Sequence, residues 1–243
     1  MQNKHLWKHS KFILRSGRCV ASKDKNHVSA GSRFMANIIA QVYEQAIREH
    51  ARGLLLDLGC GNVPLYEVYK PYVSDNVCVD WPNSSHNNPY IDYQFDLNRC
   101  LPLESSKFDT IIVTDVLEHI REPDLLWSEM SRLLKPSGKL ILGVPFLYWI
   151  HEEPHDYYRY TKYRLICFCT THHLEVVTLY SYGGPCEVLR DILAKQADSA
   201  TRPFRAAFHI NSLIMRTIFY IQGSKKNREI ENFPLGYCLV AKK

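Results

Sequence analysis

An aliphatic run that ends in an acid and a glycine turn constrains the fold of this chain more than any other segment. Its sequence is Leu54-Leu55-Leu56-Asp57-Leu58-Gly59-Cys60-Gly61. Such a run is typical of a central parallel strand that is covered on both faces. The glycines permit a sharp turn and let a ligand approach the backbone closely. The segment therefore predicts an α/β fold with a ligand site at the carboxyl end of this strand.

The acid at position 57 indicates what charge the ligand carries. A dinucleotide-binding turn has the pattern G-x-G-x-x-G, places a pyrophosphate at a helix N-terminus and has no carboxylate directly before the glycines. Here Asp57 precedes the glycines, and Pro64 stands at the third glycine position. We therefore expect a ligand with positive charge near the turn. S-adenosylmethionine fits, because it carries an amino group and a sulfonium.

More acids follow at the ends of later predicted strands. Residues 76–80 form a second strand that ends in Asp80, where a carboxylate can accept both hydroxyls of a ribose. Residues 93–98 include Asp96, which could accept a hydrogen bond from an adenine amino group or form an Asx-type turn. The candidate cofactor contacts, including two residues that could sandwich the adenine ring, are Asp57, Gly59, Cys60, Gly61, Asp80, Trp81, Asp96, Leu97 and Thr114.

Strands and helices alternate along the chain, which predicts a parallel sheet with ligands at the strand carboxyl ends. A short helix-compatible stretch follows the glycine turn. Glu118 and His119 are interpreted as the start of the helix that carries Pro123 and Leu126. The remaining predicted strands are 108–113, 139–144 after a turn at 135–138, 174–180, and a last strand at 235–240.

These motifs together resemble the class I S-adenosylmethionine-dependent methyltransferases, specifically the type 11 group. The resemblance covers roughly residues 33–182 and resumes at the last strand. It implies a Rossmann-like fold with a seven-stranded, mainly parallel sheet whose last strand is antiparallel. It also implies that Asp57, Gly59 and Gly61 contact the methionine end of the cofactor, Asp80 the ribose and Asp96 the adenine.

A second, narrower resemblance concerns residues 145–164, the acceptor loop. This segment is similar to one in methyltransferases associated with bacterial surface-polysaccharide and other glycan pathways. Residues 151–161 hold two histidines, three carboxylates, three tyrosines and an arginine, which could bind a polyol and remove a proton from it. Histidine is the natural base near neutral pH. The candidate bases are His151, His155 and His119, and the candidate acceptor contacts are Tyr148, Asp156, Tyr158 and Arg159.

The acceptor loop also satisfies the H-E-x-x-H pattern of zinc proteases, from His151 to His155. That motif requires a helix, and Pro154 between the histidines disfavours one. We therefore expect neither a protease nor a bound metal, although a loop site built from the two histidines and a carboxylate is an alternative. In a purely structural interpretation, Asp156 and Arg159 form an ion pair that fixes the loop, and Thr161 caps a helix.

The domain organisation predicted is a basic arm and helical lid at 1–52, followed by one cofactor-binding domain at 53–243 with a helical insertion at 183–232. Residues 1–30 carry a formal charge of +6, so the rest of the chain, at −1, is close to neutral. This arm could cover the active site, contact an anionic acceptor or be solvated. An amphipathic helix beginning near Phe34 is expected to pack on the sheet. A second apolar helix at 204–222 could pack on its own domain, form a dimer or lie on a membrane.

The predicted function is O-methylation of a sugar or other small-molecule hydroxyl with S-adenosylmethionine as cofactor. The alternatives are an RNA or protein methyltransferase, which the near-neutral body disfavours, and a non-catalytic binding or scaffold protein. Scattered cysteines, without a paired C-x-x-C spacing, and the absence of a signal-like segment favour a cytoplasmic location, with peripheral membrane contact as an option.

Overall fold

The computed structural model describes residues 1–82, 89–201, 208, 210 and 231–243. Within these residues the chain forms nine strands and five α-helices. The strands are β1 (Phe12–Arg15), β2 (Arg18–Ala21), β3 (Gly53–Leu58), β4 (Val73–Asp80), β5 (Tyr93–Gln94), β6 (Phe108–Thr114), β7 (Leu134–Pro145), β8 (Glu175–Tyr182) and β9 (Gly236–Lys242). The helices are α1 (Arg33–His50), α2 (Tyr66–Tyr69), α3 (Pro123–Leu133), α4 (Lys162–Thr171) and α5 (Pro185–Ser199).

Seven of these strands form one sheet in the order β5-β4-β3-β6-β7-β9-β8. Neighbouring strands run parallel from β5 to β7, and β9 runs antiparallel to both β7 and β8. The predicted fold class, a Rossmann-like, mainly parallel sheet with an antiparallel last strand, is confirmed. The chain continues from β3 to β4 and β5 on one side of β3, and then to β6 on its other side. Open α/β sheets bind their ligands where the strand order changes direction in this way.

The sheet is covered on both faces, as the aliphatic run in β3 indicated. Leu55 packs in the cluster on the side of α1, whereas Leu56 and Leu58 pack with α3 and α4 on the other side. All three side chains are fully buried. Burying an aliphatic side chain of this size contributes roughly 1.5–3 kcal/mol to folding, so this double covering fixes the strand end that carries Asp57.

Several predicted elements differ in extent from the observed ones. Residues 135–138, predicted as a turn, lie inside β7, where the pairing with β6 shifts between Phe108 and Thr110. The helix expected to begin at Glu118 starts only at Pro123, because Leu117–His119 form a separate 3-10 turn and Ile120 is extended. The apolar helix predicted at 204–222 lies almost entirely outside the described residues.

The N-terminal segment contains a hairpin that the sequence analysis did not predict. Ser16 and Gly17, both with positive φ, connect β1 and β2, as a two-residue hairpin turn requires. The buried carboxylate of Glu44 on α1 accepts hydrogen bonds from the Cys19 amide and from Arg48, at 3.0 and 2.9 Å. The hairpin is therefore fixed to α1, whose buried face packs on the sheet as predicted.

In the described part of the chain, no helix combines the length and the apolar character that crossing a membrane requires.

Candidate active site

The predicted methyl-donor end of the site lies at the carboxyl ends of β3 and β4. These strands pair in parallel with Asp57 opposite Cys78, so Asp80 lies two residues further along the neighbouring strand. Asp57 and Asp80 are both buried, with 5% and 8% of their surface exposed. The structure thus brings together the two acids that the sequence analysis assigned to the cofactor.

Asp57 lies in a poorly solvated environment. Its Oδ2 is 3.5 Å from the Tyr69 hydroxyl, and that hydroxyl also accepts a hydrogen bond from Asn76 at 3.1 Å. Burial, reinforced by the negative charge of Asp80, raises the pKa of Asp57 to about 7. A cationic group beside Asp57 would stabilise its charged form, because the positive charge offsets both the burial and the negative charge of Asp80.

The glycine turn lies directly over the end of β4. The amide of Gly59 donates to the Val79 carbonyl at 2.8 Å, and the amide of Gly61 donates to Asp80 Oδ2 at 2.9 Å. Gly59 has φ +69°, and an added Cβ would approach a Val116 methyl group to 2.5 Å. The turn thus requires glycine at position 59 for both its backbone conformation and its packing. Cys60 is buried inside it.

The predicted adenine end is more open. Asp96 accepts hydrogen bonds from the backbone and side-chain nitrogens of Asn98, both at 2.9 Å, so the Asx-type turn is present. Leu97 is buried, while Trp81 and Thr114 are partly exposed. Trp81 packs edge-on against His155, with ring centroids 5.1 Å apart. This contact connects the cofactor end with the acceptor loop.

The arm reaches the site through a lysine whose role the sequence analysis did not identify. Lys11 Nζ lies 3.0 Å from Asp115 Oδ2, and the Tyr43 hydroxyl of α1 donates to Asp115 Oδ1 at 2.7 Å. Burial by itself raises the pKa of Asp115, but Lys11 and Tyr43 outweigh it and hold that pKa below its usual value. This part of the arm therefore contacts the predicted site through an ion pair of a half-exposed lysine.

The acceptor loop is folded back onto the turn that follows β6. The amides of Tyr157 and Tyr158 donate to the Glu118 carbonyl at 2.9 and 3.3 Å. Asp156 and Arg159 form a two-point ion pair at 2.5 and 2.7 Å, which helps to lower the pKa of Asp156 to about 2. This pair fixes the loop, as the structural interpretation proposed.

The other predicted acceptor contacts lie on the same loop. The Tyr158 hydroxyl donates to the Arg121 carbonyl at 3.2 Å. Tyr148 contacts His151 edge-on, and Lys195 of α5 lies 3.7 Å above the Tyr148 ring centroid. Thr161 accepts a hydrogen bond from the Arg164 amide and caps α4 as predicted.

Two of the three candidate bases meet at a buried carboxylate, and the group formed by Glu118, His119 and His151 is here named the Glu118 cluster. Glu118 is fully buried. Its Oε1 lies 3.8 Å from His119 Nε2 and 3.7 Å from His151 Nε2. His155 is outside the cluster, and its Nδ1 lies 3.0 Å from the Tyr157 hydroxyl. The segment 151–155 contains no helix, so it lacks the geometry of a zinc protease.

Burial and the neighbouring charged groups shift the pKa values of Glu118 and His151. Burial raises the pKa of Glu118, and the adjacent imidazole of His151 only partly opposes this effect. For His151, burial by itself lowers the pKa, but Glu118 and Asp156 outweigh it and the pKa is raised. Glu118 and His151 therefore bind a proton more readily than isolated side chains of these types do.

Comparisons with known proteins agree with this geometry. Residues 56–142 match the family described as "Methyltransferase domain". Ubiquinone biosynthesis O-methyltransferase of Bartonella tribocorum is 28% identical in an alignment 135 residues long, which covers 45% of this chain and 55% of that protein. The enzyme of the same name from Brucella anthropi is 28% identical in an alignment of 98 residues, which covers 37% of this chain and 40% of that protein. The chain thus spans about half the length of the curated relatives it matches.

Solved structures share the fold at low sequence identity. An S-adenosylmethionine-dependent methyltransferase from Mesorhizobium loti superposes with a TM-score of 0.53 and 12% identity, covering 84% of this chain and 97% of that one. The [4+2]-cyclase SpnF also gives a TM-score of 0.53, with 17% identity and coverage of 97% and 86%. At these identities the likeness concerns the fold alone.

The chain thus has the sheet order and strand directions of a class I methyltransferase fold, and its residues 56–142 are similar to a methyltransferase domain. The matched segment extends from β3 into β7. It therefore contains Asp57, Asp80 and two members of the Glu118 cluster, whereas His151 and the rest of the acceptor loop lie beyond it.

Proposed function

We propose that this protein transfers the methyl group of S-adenosylmethionine to a hydroxyl oxygen of a small-molecule acceptor. The observation that carries the proposal is the pair of buried carboxylates at the ends of two adjacent parallel strands, next to the glycine turn, within the matched methyltransferase domain. The cationic methionine end belongs beside Asp57, where a positive charge is most favourable. The ribose belongs beside Asp80 and the adenine beside Asp96 and Leu97.

Oxygen is the proposed methylated atom because the ubiquinone biosynthesis relatives described above are named O-methyltransferases. Their names concern ubiquinone biosynthesis, whereas the acceptor loop resembles segments of glycan enzymes. The chemistry shared by the two acceptor classes is a hydroxyl on a small organic molecule. Aromatic side chains on the loop can pack on either kind of ring, and we take this shared chemistry as the proposed acceptor class.

The reaction is an in-line displacement. The acceptor oxygen forms a bond to the methyl carbon while the bond from that carbon to the sulfonium sulfur breaks, which releases S-adenosylhomocysteine. The hydroxyl proton must leave in the same process, so alignment and deprotonation supply the rate. We assign the activation of the hydroxyl to the Glu118 cluster, since it joins the end of β6 to the acceptor loop.

The first test is calorimetric titration of the protein with S-adenosylmethionine and S-adenosylhomocysteine. We expect a dissociation constant on the order of micromolar, about −8 kcal/mol. Asp80→Asn keeps the size of the side chain but removes its charge, and should weaken binding by about 100-fold, which is roughly 2.7 kcal/mol. Asp75→Asn is the matched control, because Asp75 lies on the same strand and is largely exposed. Its affinity should equal that of the wild type.

Methyl transfer is then measured as S-adenosylhomocysteine formation with a catechol and with a nucleotide sugar as acceptors. Product formation with one of them supports the proposal and identifies the acceptor class. Absence of cofactor binding at millimolar concentration would contradict it. Cofactor binding without turnover on any hydroxyl would favour the non-catalytic alternative, and a product formed on RNA with steep salt dependence would favour an RNA methyltransferase.

A further inference from the structure

The Glu118 cluster contains buried polar atoms that form no hydrogen bonds. Both carboxylate oxygens of Glu118 and Nε2 of His119 are buried and have no hydrogen-bond partner. A buried carboxylate without a partner costs several kcal/mol, so such groups are normally paired, protonated or bound to a metal. His119 Nε2 and His151 Nε2 lie 3.8 and 3.7 Å from Oε1, which is too distant for hydrogen bonds.

The outer nitrogens of both histidines are already engaged. His119 Nδ1 lies 2.7 Å from the His155 carbonyl oxygen. Since a carbonyl only accepts, Nδ1 must carry the proton, and in the neutral ring Nε2 then has a lone pair directed toward Glu118. His151 Nδ1 lies 3.3 Å from Asp156 Oδ2. Histidine ligands of metal ions show this arrangement, in which a carbonyl or carboxylate orients the ring from behind.

Glu118, His119 and His151 each offer one ligand atom, and these three atoms are close enough for one ion to bind them all. They lie within 4.8 Å of one another, and across the described ranges no other group of three histidines, cysteines or acids was found this close. Ligands at about 2.1 Å from a zinc ion stand roughly 3.4 Å apart in a tetrahedron. The distances between ligand atoms therefore have to shorten by about 1.4 Å at most, and His151 lies outside any helix or strand.

The charged side chains around the Glu118 cluster do not oppose the binding of a cation. The positive charge of Lys11 is balanced by Asp115 at 3.0 Å. Glu152 lies 3.9 Å from His119 Nε2 on the exposed side of the loop, with 67% of its side chain accessible. It provides a further carboxylate at the entrance, while solvent or the acceptor can occupy the remaining coordination positions.

We propose that Glu118, His119 and His151 bind a divalent first-row transition metal ion, such as Zn²⁺, with open positions that face the acceptor loop. Two imidazoles and one carboxylate suit such an ion better than Mg²⁺, which prefers oxygen ligands. This reverses the expectation from the sequence that no metal is bound, and it replaces His155 of the loop alternative by Glu118 and His119.

This inference rests on the proposed function and deepens it. An acceptor hydroxyl that coordinates the ion has a lowered pKa, so it loses its proton to solvent at neutral pH and its oxygen becomes a better nucleophile. Acceptors with two neighbouring oxygens would be preferred, because both can occupy open positions of one ion. The histidines then act as ligands and not as the base.

The test is calorimetric titration of the purified, chelator-treated protein with Zn²⁺, together with visible absorption on titration with Co²⁺. We expect one ion per chain and a cobalt d–d band. Loss of a ligand costs at least as much as loss of an outer-shell partner, so His119→Ala and His151→Ala should each weaken binding by about 100-fold or more. Glu118→Gln, which keeps the shape of the buried side chain, should do the same.

His155→Ala is the matched control, since it removes a histidine of the same loop but keeps the backbone carbonyl that orients His119. Its affinity for Zn²⁺ should equal that of the wild type. Binding of S-adenosylhomocysteine is measured on every variant and shows whether each is folded. Equal Zn²⁺ affinity in wild type and His119→Ala, or an equal loss in His155→Ala, would overturn the proposed site. Zn²⁺ binding without any cofactor binding would refute the proposed function and leave the metal site intact.

Discussion

Asp57 is a buried carboxylate whose charged form destabilises the ligand-free fold. Its pKa of about 7 is higher than the 3.8 of an unperturbed aspartate. Between these two values the folded state binds more protons than the unfolded state, so the free energy of unfolding decreases as pH rises. The loss amounts to at most about 1.4 kcal/mol per pH unit from this group.

Asp57→Asn should therefore stabilise the ligand-free protein at pH 8 by on the order of 1–3 kcal/mol, because the amide needs no charge to be buried. At pH 4.5, where the aspartate of the folded protein is protonated, the two proteins should unfold at nearly the same urea concentration. Urea denaturation at both pH values measures the difference.

Asp75→Asn provides the comparison for this experiment. The pKa of Asp75 is lowered, mainly by its hydrogen bond with Lys4, so its removal should not stabilise the protein at pH 8. A gain for Asp57→Asn that is the same at both pH values would show that its charge is not the cause. The same substitution should weaken cofactor binding, as expected where a site retains a costly group for function.

At the level of residues, the sequence predicted the proximity of Asp57 and Asp80 better than the contacts of the acceptor loop. Asp80 is the last residue of β4 and Asp57 the last but one of β3, and parallel strands bring such ends together, so local patterns were sufficient. The Glu118 cluster joins Glu118 to His151, which follows much later in the chain. Only the folding of the acceptor loop back onto the Glu118 carbonyl brings the two side chains together. No local spacing predicts that contact.

At the level of elements, the packing of α1 on β7 depends on one glycine. An added Cβ at Gly143 would overlap the ring of Tyr43, whose hydroxyl holds Asp115. Gly143→Ala should destabilise the protein by about 1–3 kcal/mol, as overpacking of a filled core does. It should also displace Tyr43 from Asp115. Thermal and urea unfolding measure the cost.

A double-mutant cycle tests the cause of this cost. Leucine at position 43 is shorter than tyrosine, so Gly143→Ala should cost less in a Tyr43→Leu background. An equal cost in both backgrounds would assign the effect to the strand itself and contradict the proposed overlap.

The elements also show where sequence patterns fail. The central strands β3, β6 and β7 could be predicted because each contains a run of buried aliphatic residues. The β1–β2 hairpin carries a signal too, since Ser16-Gly17 suits a two-residue turn, but its strands are short and its outer positions are exposed. The extension of β7 back to Leu134 was not predictable, because Pro136 and Gly138 favour a turn and the strand accommodates them with a shift in register.

At the level of the whole molecule, β9 lies between β7 and the edge strand β8 and joins β8 to the rest of the sheet. Leu239 is fully buried and lies opposite Leu142 of β7 and Leu179 of β8. Leu239→Ala should destabilise the protein by about 2–5 kcal/mol, because a cavity remains where the side chain was. Val177→Ala on β8 is the comparison, as Val177 is 41% exposed, and should cost less than about 1 kcal/mol. Similar losses in both variants, measured by urea unfolding, would contradict the central role of β9.

The position of β9 also affects how the chain can fold during synthesis. Because the ribosome adds residues in order, β7 and β8 are both made before the strand that lies between them. Each then presents an unpaired strand edge, and exposed edges of this kind invite pairing with other chains. The last residues of this sequence therefore complete the sheet, and protection of the nascent protein against aggregation must continue until they leave the ribosome.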